Sequence, residues 1–210
     1  MWELVKAGGW LMLPLVICSI FTVAISIERF IRLKRSVVLP DVLMMQKGKS
    51  IDTVLETMEQ DKSITQTSLG YIFKEGADAY IGGEIYARAQ MEVAASKEIG
   101  FLEKNINFLG TLSAVAPLLG LLGTVLGIIE SFLVLDLGST SNPTLMIPGI
   151  SKALITTAAG MLIAIPALFA YRYFQRLVQE YVTELEQQAT LFHAALFYRK
   201  AHQAEQRKVG

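Results

Sequence analysis

The sequence predicts an all-α integral membrane protein with three transmembrane helices, of which the second and third are long. Hydrophobic residues make up 52% of the 210-residue chain. Charged residues make up 18%, which is below the roughly 25% of a soluble domain. Three apolar runs reach or approach the roughly 20 residues that cross a bilayer as a helix.

The three apolar runs cover residues 10–27, about 106–135 and about 150–169. The first run has the length of a signal peptide, but its charged residues follow it and it has no A-x-A cleavage site, so we expect an uncleaved anchor. Lysine and arginine are abundant after the first run and after the third, and residues 136–149 have none. The positive-inside rule therefore predicts an outer N-terminus, an outer 136–149 loop and a cytoplasmic C-terminus. Trp2 and Trp10 suit the outer interface, and Tyr171 and Tyr173 the inner one.

Helix-forming residues continue beyond both later spans. One helix over residues 84–135 would be about 78 Å long, against about 30 Å of hydrocarbon, so much of it would project into the cytoplasm. A break near Gly100 or Gly110 is the alternative. The third helix is expected to continue past Tyr181 toward Arg199, and a shorter helix over 51–60 is expected behind a Ser50 cap. We expect four segments: 1–35 with the first span, a cytoplasmic insert at 36–105, a pore-forming part at 106–171 and a cytoplasmic helix at 172–210.

The second and third spans each carry a line of small and hydroxyl residues at steps of three and four, which places them on one helical face. The members on the second span are Ser113, Pro117, Gly120, Thr124, Gly127 and Ser131, and those on the third are Ala153, Thr157, Gly160, Ala164 and Ala167. Such faces favour close helix packing or a water-accessible path through the membrane. Gly123 and Gly127 form a GxxxG packing pair. We expect these faces to associate copies of the chain.

We call the two small-residue faces of the second and third spans the seam. Its candidate polar residues are two threonines and two charged residues. Each hydroxyl of Thr124 and Thr157 either bonds back to its own helix or joins a shared polar path. Pro117 and Pro166 each remove a helix hydrogen bond and would loosen the seam.

Glu130 and Lys152 lie at similar offsets outward of the threonines on antiparallel helices, so they either form an ion pair or meet the headgroups separately. The sequence has no Asp or Glu deeper in any span. If protons cross here, another chain must supply the carboxylate that carries them.

Other chemistry is disfavoured. The pattern Gly120-x-x-Gly123-x-x-x-Gly127 lies within an apolar helix and does not follow a strand, so it is not a nucleotide loop. Cys18 has no partner cysteine, and the two histidines, His193 and His202, lie in the tail. We therefore predict no enzyme activity, no metal and no cofactor, and the zero formal net charge gives no sign of nucleic-acid binding.

The chain resembles the MotA/TolQ/ExbB proton-channel family, nearest to its ExbB and TolQ branch. The resemblance is carried by APLLGLLGTVLGII at 116–129, PGI at 148–150 and ALITTAAG with the later AIP at 153–166. It implies a homopentamer in the bacterial inner membrane around a pore that holds single-span partner helices of the ExbD or TolR kind. An aspartate of the partner would carry the proton.

The resemblance also implies roles for individual residues. Thr124 and Thr157 match the pore-facing threonines, so the proton path is expected along Thr124, Thr157, Ser113, Pro117, Gly120, Gly127 and Gly160. Lys152 stands where ExbB and TolQ usually have Glu, and Glu130 where ExbB often has Asn. The second substitution could compensate the first.

The expected function is an ExbB-like motor subunit that energises TonB-dependent outer-membrane transport. A TolQ-like subunit for outer-membrane integrity, acting with a TolA-like protein, is the alternative. A helical scaffold without ion flux is another alternative. The absence of inverted repeats and broken-helix pairs argues against a solute transporter.

Overall fold

The computed structural model describes residues 8–45, 50–137 and 143–209, and within them the side chains of 8–45, 50–134 and 144–197. The interface role predicted for Trp2, the side chain of His202 and residues 138–142 of the outer loop lie outside this description. The described residues form helices and turns and contain no strand, which confirms the all-α class.

Helices α1 to α7 follow one another through the described residues. They are α1 (Met12–Arg32), α2 (Arg35–Val38), α3 (Ile51–Gln60), α4 (Ser68–Asp78), α5 (Glu84–Glu103), α6 (Ile106–Leu137) and α7 (Ile147–Val209). Short 3-10 helices lie at Asp41–Leu43, Ile64–Gln66, Ala79–Gly82 and Pro143–Met146. The three predicted spans are confirmed, because α1, α6 and α7 each contain a segment long and apolar enough to cross a membrane.

The expectation of one unbroken helix over 84–135 is wrong. The helix stops at Glu103 and resumes at Ile106, and Asn105 between them has a φ of +62°. Neither Gly100 nor Gly110 interrupts a helix. Asparagine adopts this left-handed conformation more readily than most residues, and the Asn105 side-chain amide donates a hydrogen bond to the Glu28 carboxylate at 3.0 Å.

The chain divides into two compact units. The first comprises Met1–Arg29 and Asn105–Phe174 and holds most of the three apolar segments. Within it, Met12 and Leu15 of α1 pack against Ala116 of α6 and Ala164 of α7. The outward faces of these helices carry large exposed apolar side chains, among them Ile20, Leu118 and Leu162. Such faces suit hydrocarbon or protein and not water.

The second unit comprises Phe30–Lys104 and Gln175–Gly210. Its core uses one face of α7, where buried residues recur every three or four positions: Val178, Tyr181, Leu185, Gln188, Phe192 and Leu196. Phe192 stacks on Phe73 with ring centroids 4.1 Å apart. The predicted continuation of the third helix is thus confirmed, although Leu191 is exposed on the opposite side.

Polar contacts fasten the short helices of the second unit. Arg35 pairs with both oxygens of Glu184, at 2.6 and 3.1 Å, and this hydrogen-bonded pairing raises the pKa of the Arg35 guanidinium above its ordinary value. The Gln188 side chain accepts a hydrogen bond from the Met45 amide at 2.6 Å. Helix α3 begins at Ile51 behind Ser50, whose hydroxyl accepts from the Asp52 amide, so the predicted cap is confirmed.

Candidate functional site

The seam between α6 and α7 is built from glycines. A Cβ added to Gly120 would lie 3.0 Å from the Thr156 carbonyl oxygen, and one added to Gly160 would lie 2.6 Å from the Ala116 carbonyl oxygen. A Cβ added to Gly127 would lie 2.9 Å from the Gly149 carbonyl oxygen and 2.8 Å from the Ala153 Cβ. The backbones of the two helices therefore approach each other directly, which only residues without a side chain permit.

Gly123 closes the middle of this seam. A Cβ there would overlap the Thr156 hydroxyl oxygen. The GxxxG pair of Gly123 and Gly127 therefore packs within one chain. These glycines thus contact α7 of the same molecule, and association of copies through the small-residue faces stays a prediction.

Thr157 links the two helices by a side-chain hydrogen bond. Its hydroxyl is half-buried and donates to the Gly120 carbonyl oxygen at 2.9 Å. Thr124 behaves differently, because its hydroxyl donates to Leu121 of its own helix at 2.6 Å. Thr124 therefore bonds back to its own helix, whereas Thr157 bonds across to α6, and a shared polar path through the two hydroxyls stays a prediction.

The other residues expected along the path fall into two groups. Gly120, Gly127 and Gly160 are buried between α6 and α7. Ser113 and Pro117 are half-buried on α6, and the Ser113 hydroxyl donates to the Gly110 carbonyl oxygen at 2.7 Å. The structure thus brings the glycines and Thr157 together, and it leaves Ser113, Pro117 and Thr124 at the border of the seam.

Two further hydroxyl residues belong to the seam. Thr156 is 1% exposed and donates to the Ala153 carbonyl oxygen at 2.8 Å. Ser131 is also 1% exposed, and its hydroxyl lies 2.8 Å from the Gly127 oxygen and 3.3 Å from the Met146 oxygen. The spacing of Ser131 signals its place on this face. The place of Thr156 in the seam could not be predicted from spacing, because the pattern selects its neighbour Thr157.

Glu130 and Lys152 meet at one end of the seam. The Lys152 ammonium lies 2.8 Å from a Glu130 carboxylate oxygen, with 32% of the lysine side chain and 58% of the glutamate side chain exposed. The residue before α1 that faces this lysine is Gly9, with a φ of +72°, and a Cβ there would contact the Lys152 side chain. The structure therefore brings the two charges together and covers the lysine stem with the segment that leads into α1.

No cluster of three metal-binding side chains occurs among the described residues. His193 lies on α7 in the second unit, with its ring 3.2 Å from the Glu84 carbonyl oxygen. It borders a half-open cavity of about 580 Å³ that Arg88, Glu92 and Glu186 also line. These side chains belong to a water-facing surface of mixed charge.

Three membrane-spanning helices, two of them joined along a seam of glycine and threonine, define a polytopic helical membrane protein. The MotA/TolQ/ExbB proton channel family matches residues 65–187, and the chain belongs to this family. Membership and the three apolar helices together indicate a bacterial inner-membrane protein.

Named relatives come from both branches. The chain is 30% identical over 210 residues to a biopolymer transport protein named ExbB-like 3 from Synechocystis, covering 96% of this chain and 97% of the relative. It is 35% identical over 132 residues to the Tol-Pal system protein TolQ of Haemophilus influenzae, covering 61% of this chain and 57% of the relative. It is 38% identical over 85 residues to ExbB of Salmonella typhimurium, covering 40% of this chain and 35% of the relative. The matched part thus spans nearly all of the first relative and little more than half, or less, of the other two.

Proposed function

We propose that this chain is the channel subunit of an inner-membrane complex that couples the proton motive force to mechanical work on the cell envelope. The observation that carries the proposal is the hydroxyl of Thr157, held by Gly120 across the seam at 2.9 Å. Family membership supports the channel class. The chain acts in this proposal as a transport-energising subunit and not as an enzyme.

The hydrogen bonds of the two threonines set what their oxygens can do. The Thr157 hydroxyl donates a hydrogen bond to the Gly120 carbonyl oxygen, and the Thr124 hydroxyl donates one to the Leu121 carbonyl oxygen. A hydroxyl whose proton is engaged still has lone pairs that accept a hydrogen bond. Both oxygens are therefore prepared to receive a proton-bearing group, such as a protonated carboxyl on a helix beside the seam.

That carboxyl must come from a partner chain. Residues 106–129 and 147–171 contain no Asp or Glu, so neither long span supplies a proton carrier at the depth of the threonines. We propose a single-span partner of the ExbD or TolR kind, held in a pore formed by a ring of this chain, most simply a pentamer. The N-terminus then lies in the periplasm and the C-terminus in the cytoplasm, as the lysine and arginine distribution predicts.

We propose the ExbB-like role and keep the TolQ-like role as the alternative, because relatives of both kinds match the chain. The match spans 97% of the ExbB-like protein of Synechocystis, 57% of the Haemophilus TolQ protein and 35% of the Salmonella ExbB protein. In the ExbB-like role the complex would act on a TonB-like protein and energise outer-membrane transport. In the TolQ-like role it would act on a TolA-like protein and maintain the outer membrane.

The experiment is proton flux into proteoliposomes that contain this chain and its single-span partner. Thr157→Val keeps the side-chain shape and removes the hydroxyl, and we expect flux to fall about a hundredfold, the low end of the range for loss of one positioned proton-transfer group. Thr157→Ser should restore much of it. Thr183→Val is the matched control, because the exposed Thr183 hydroxyl only bonds back to Gln179 on the same helix.

Two outcomes would overturn the proposal. Full flux in the double variant Thr124→Val and Thr157→Val would show that these hydroxyls do not serve proton transfer. Absence of any flux with the partner present, in a correctly assembled wild-type complex, would favour the scaffold. Native mass measurement of the complex tests the oligomer separately, and a stable monomer would contradict the ring.

A further inference from the structure

The sequence around it explains the interruption between α5 and α6 only in part. Lys104 and Asn105 separate the two helices, and Asn105 adopts a φ of +62°. Neither glycine nor proline occurs between Gly100 and Gly110, so local propensity favours an uninterrupted helix. The left-handed conformation is unfavourable for an ordinary residue and less unfavourable for asparagine.

The Glu28 carboxylate contacts two groups at this point. One oxygen accepts a hydrogen bond from the Asn105 side-chain amide at 3.0 Å. The other oxygen lies 3.3 Å from the guanidinium of Arg29, whose side chain is only 1% exposed. A buried cation needs its counter-charge nearby, so Arg29 depends on the Glu28 carboxylate, whereas the bond from Asn105 uses the other carboxylate oxygen. All three residues belong to the first unit.

We propose that Glu28 is a positioning residue that fixes the helix break at Asn105 and thereby sets where α6 begins. The Leu109 amide makes the first backbone hydrogen bond of α6, to the Asn105 oxygen at 3.2 Å. The rotation of α6 about its axis is then set at Ile106. That rotation determines which residues of α6, Gly120 among them, face α7.

The break has a signature in the exchange of backbone amides. At the start of a helix the first amides lack partners within that helix, and although a hydrogen-bonded turn at residues 104–105 reaches back across the break, exchange over residues 106–108 should on average be fast. In one continuous helix these amides would bond to carbonyl oxygens of the preceding turn and exchange slowly. Loss of the break therefore slows exchange at these positions, whereas general loss of structure speeds it.

The test measures hydrogen–deuterium exchange of the full-length protein in lipid nanodiscs. Glu28→Ala alone would leave Arg29 buried without that counter-charge and would destabilise the fold for that reason alone. The informative pair is therefore Arg29→Met against Glu28→Ala with Arg29→Met. We expect the single variant to keep fast exchange at residues 106–108 and the double variant to slow it at least about tenfold, as hydrogen-bonded helical amides do. Glu103→Ala, an exposed residue at the end of α5, is the neutral control.

Rescue separates this role from a general structural one. Glycine adopts a positive φ without steric cost, so adding Asn105→Gly to the double variant should restore the break and fast exchange at 106–108. Equal exchange in the single and double variants would overturn the proposal. Faster exchange in the double variant, or failure of Asn105→Gly to reverse the change, would also overturn it. The readout is independent of proton flux, so it can fail while the proposed function stands.

Discussion

Gly160 and Ala116 touch across the seam, since a Cβ added to the glycine would lie 2.6 Å from the alanine carbonyl oxygen. The obstacle is backbone on α6 and not the tip of a flexible side chain, so it cannot move aside without shifting a helix. Gly100 is the opposite case, because a Cβ there would meet nothing within 4 Å. Alanine substitutions at these two glycines therefore separate the effect of close packing from the effect of helix propensity.

We expect Gly160→Ala to lower the free energy of unfolding by about 1–3 kcal/mol, the usual cost of overpacking a close contact. Gly100→Ala should be neutral or stabilising by up to about 1 kcal/mol, because alanine favours the helix. Both are measured by unfolding of the purified protein in detergent. Equal effects of the two substitutions would mean that the seam does not depend on close approach at Gly160.

A buried hydroxyl ties α7 to the end of α1 in the second unit. The Tyr181 hydroxyl donates to the Leu33 carbonyl oxygen at 2.9 Å, and Tyr181 is 6% exposed. Tyr181→Phe removes the donor, and we expect a loss of about 0.5–1.5 kcal/mol in the free energy of unfolding. Tyr86→Phe, at a tyrosine that is 52% exposed, should change little. A loss no larger than that of the control would show that the bond to Leu33 contributes nothing net.

The loop after α3 carries a pH-sensitive turn. The Asp61 carboxylate accepts hydrogen bonds from the Ser63 hydroxyl at 2.6 Å and the Ser63 amide at 2.9 Å, and these bonds lower the pKa of Asp61 below its ordinary value. Because the folded-state pKa is the lower one, the turn's stabilisation is present above the ordinary carboxyl pKa and is lost as pH falls through the folded-state value. Ser63→Ala should raise the pKa of Asp61, as NMR titration of its carboxyl carbon can measure. An unchanged pKa would show that the hydroxyl bond is absent in solution.

The sequence was sufficient for features that local patterns determine. Apolar length predicted the spans, and the Ser50 cap and the course of the third helix followed from residue type and spacing. The break at Asn105 was missed because its partner, Glu28, is remote in sequence. Spacing placed Gly123 on a packing face, but it cannot say whether the facing helix belongs to the same chain. Whether the Thr157 hydroxyl bonds to Gly120 depends on the distance between the backbones of α6 and α7. That distance is likewise a property of the two packed helices and not of either sequence alone.

The charge pair at the end of the seam gives the last prediction. Lys152 and Glu130 are 2.8 Å apart, but both side chains are substantially exposed. An exposed pair contributes about 0.2–1 kcal/mol, well below the cost of breaking a buried one. We therefore expect Glu130→Ala and Lys152→Ala each to destabilise the protein modestly, and their effects to be non-additive by about that amount.

The measurement is a double-mutant cycle on the free energy of unfolding and on proton flux with the partner present. The swap Glu130→Lys with Lys152→Glu should recover part of the coupling, although Lys152 also packs its stem against Gly9, which glutamate cannot reproduce in full. A matched cycle on Arg176 and Glu180, an exposed pair on α7, gives the coupling of an ordinary surface pair. Additive effects at Glu130 and Lys152 in both measurements would mean that the two charges act separately. Lys152 would then be better explained as a charge that faces the partner chain, because its loss would alter flux whether or not Glu130 is present.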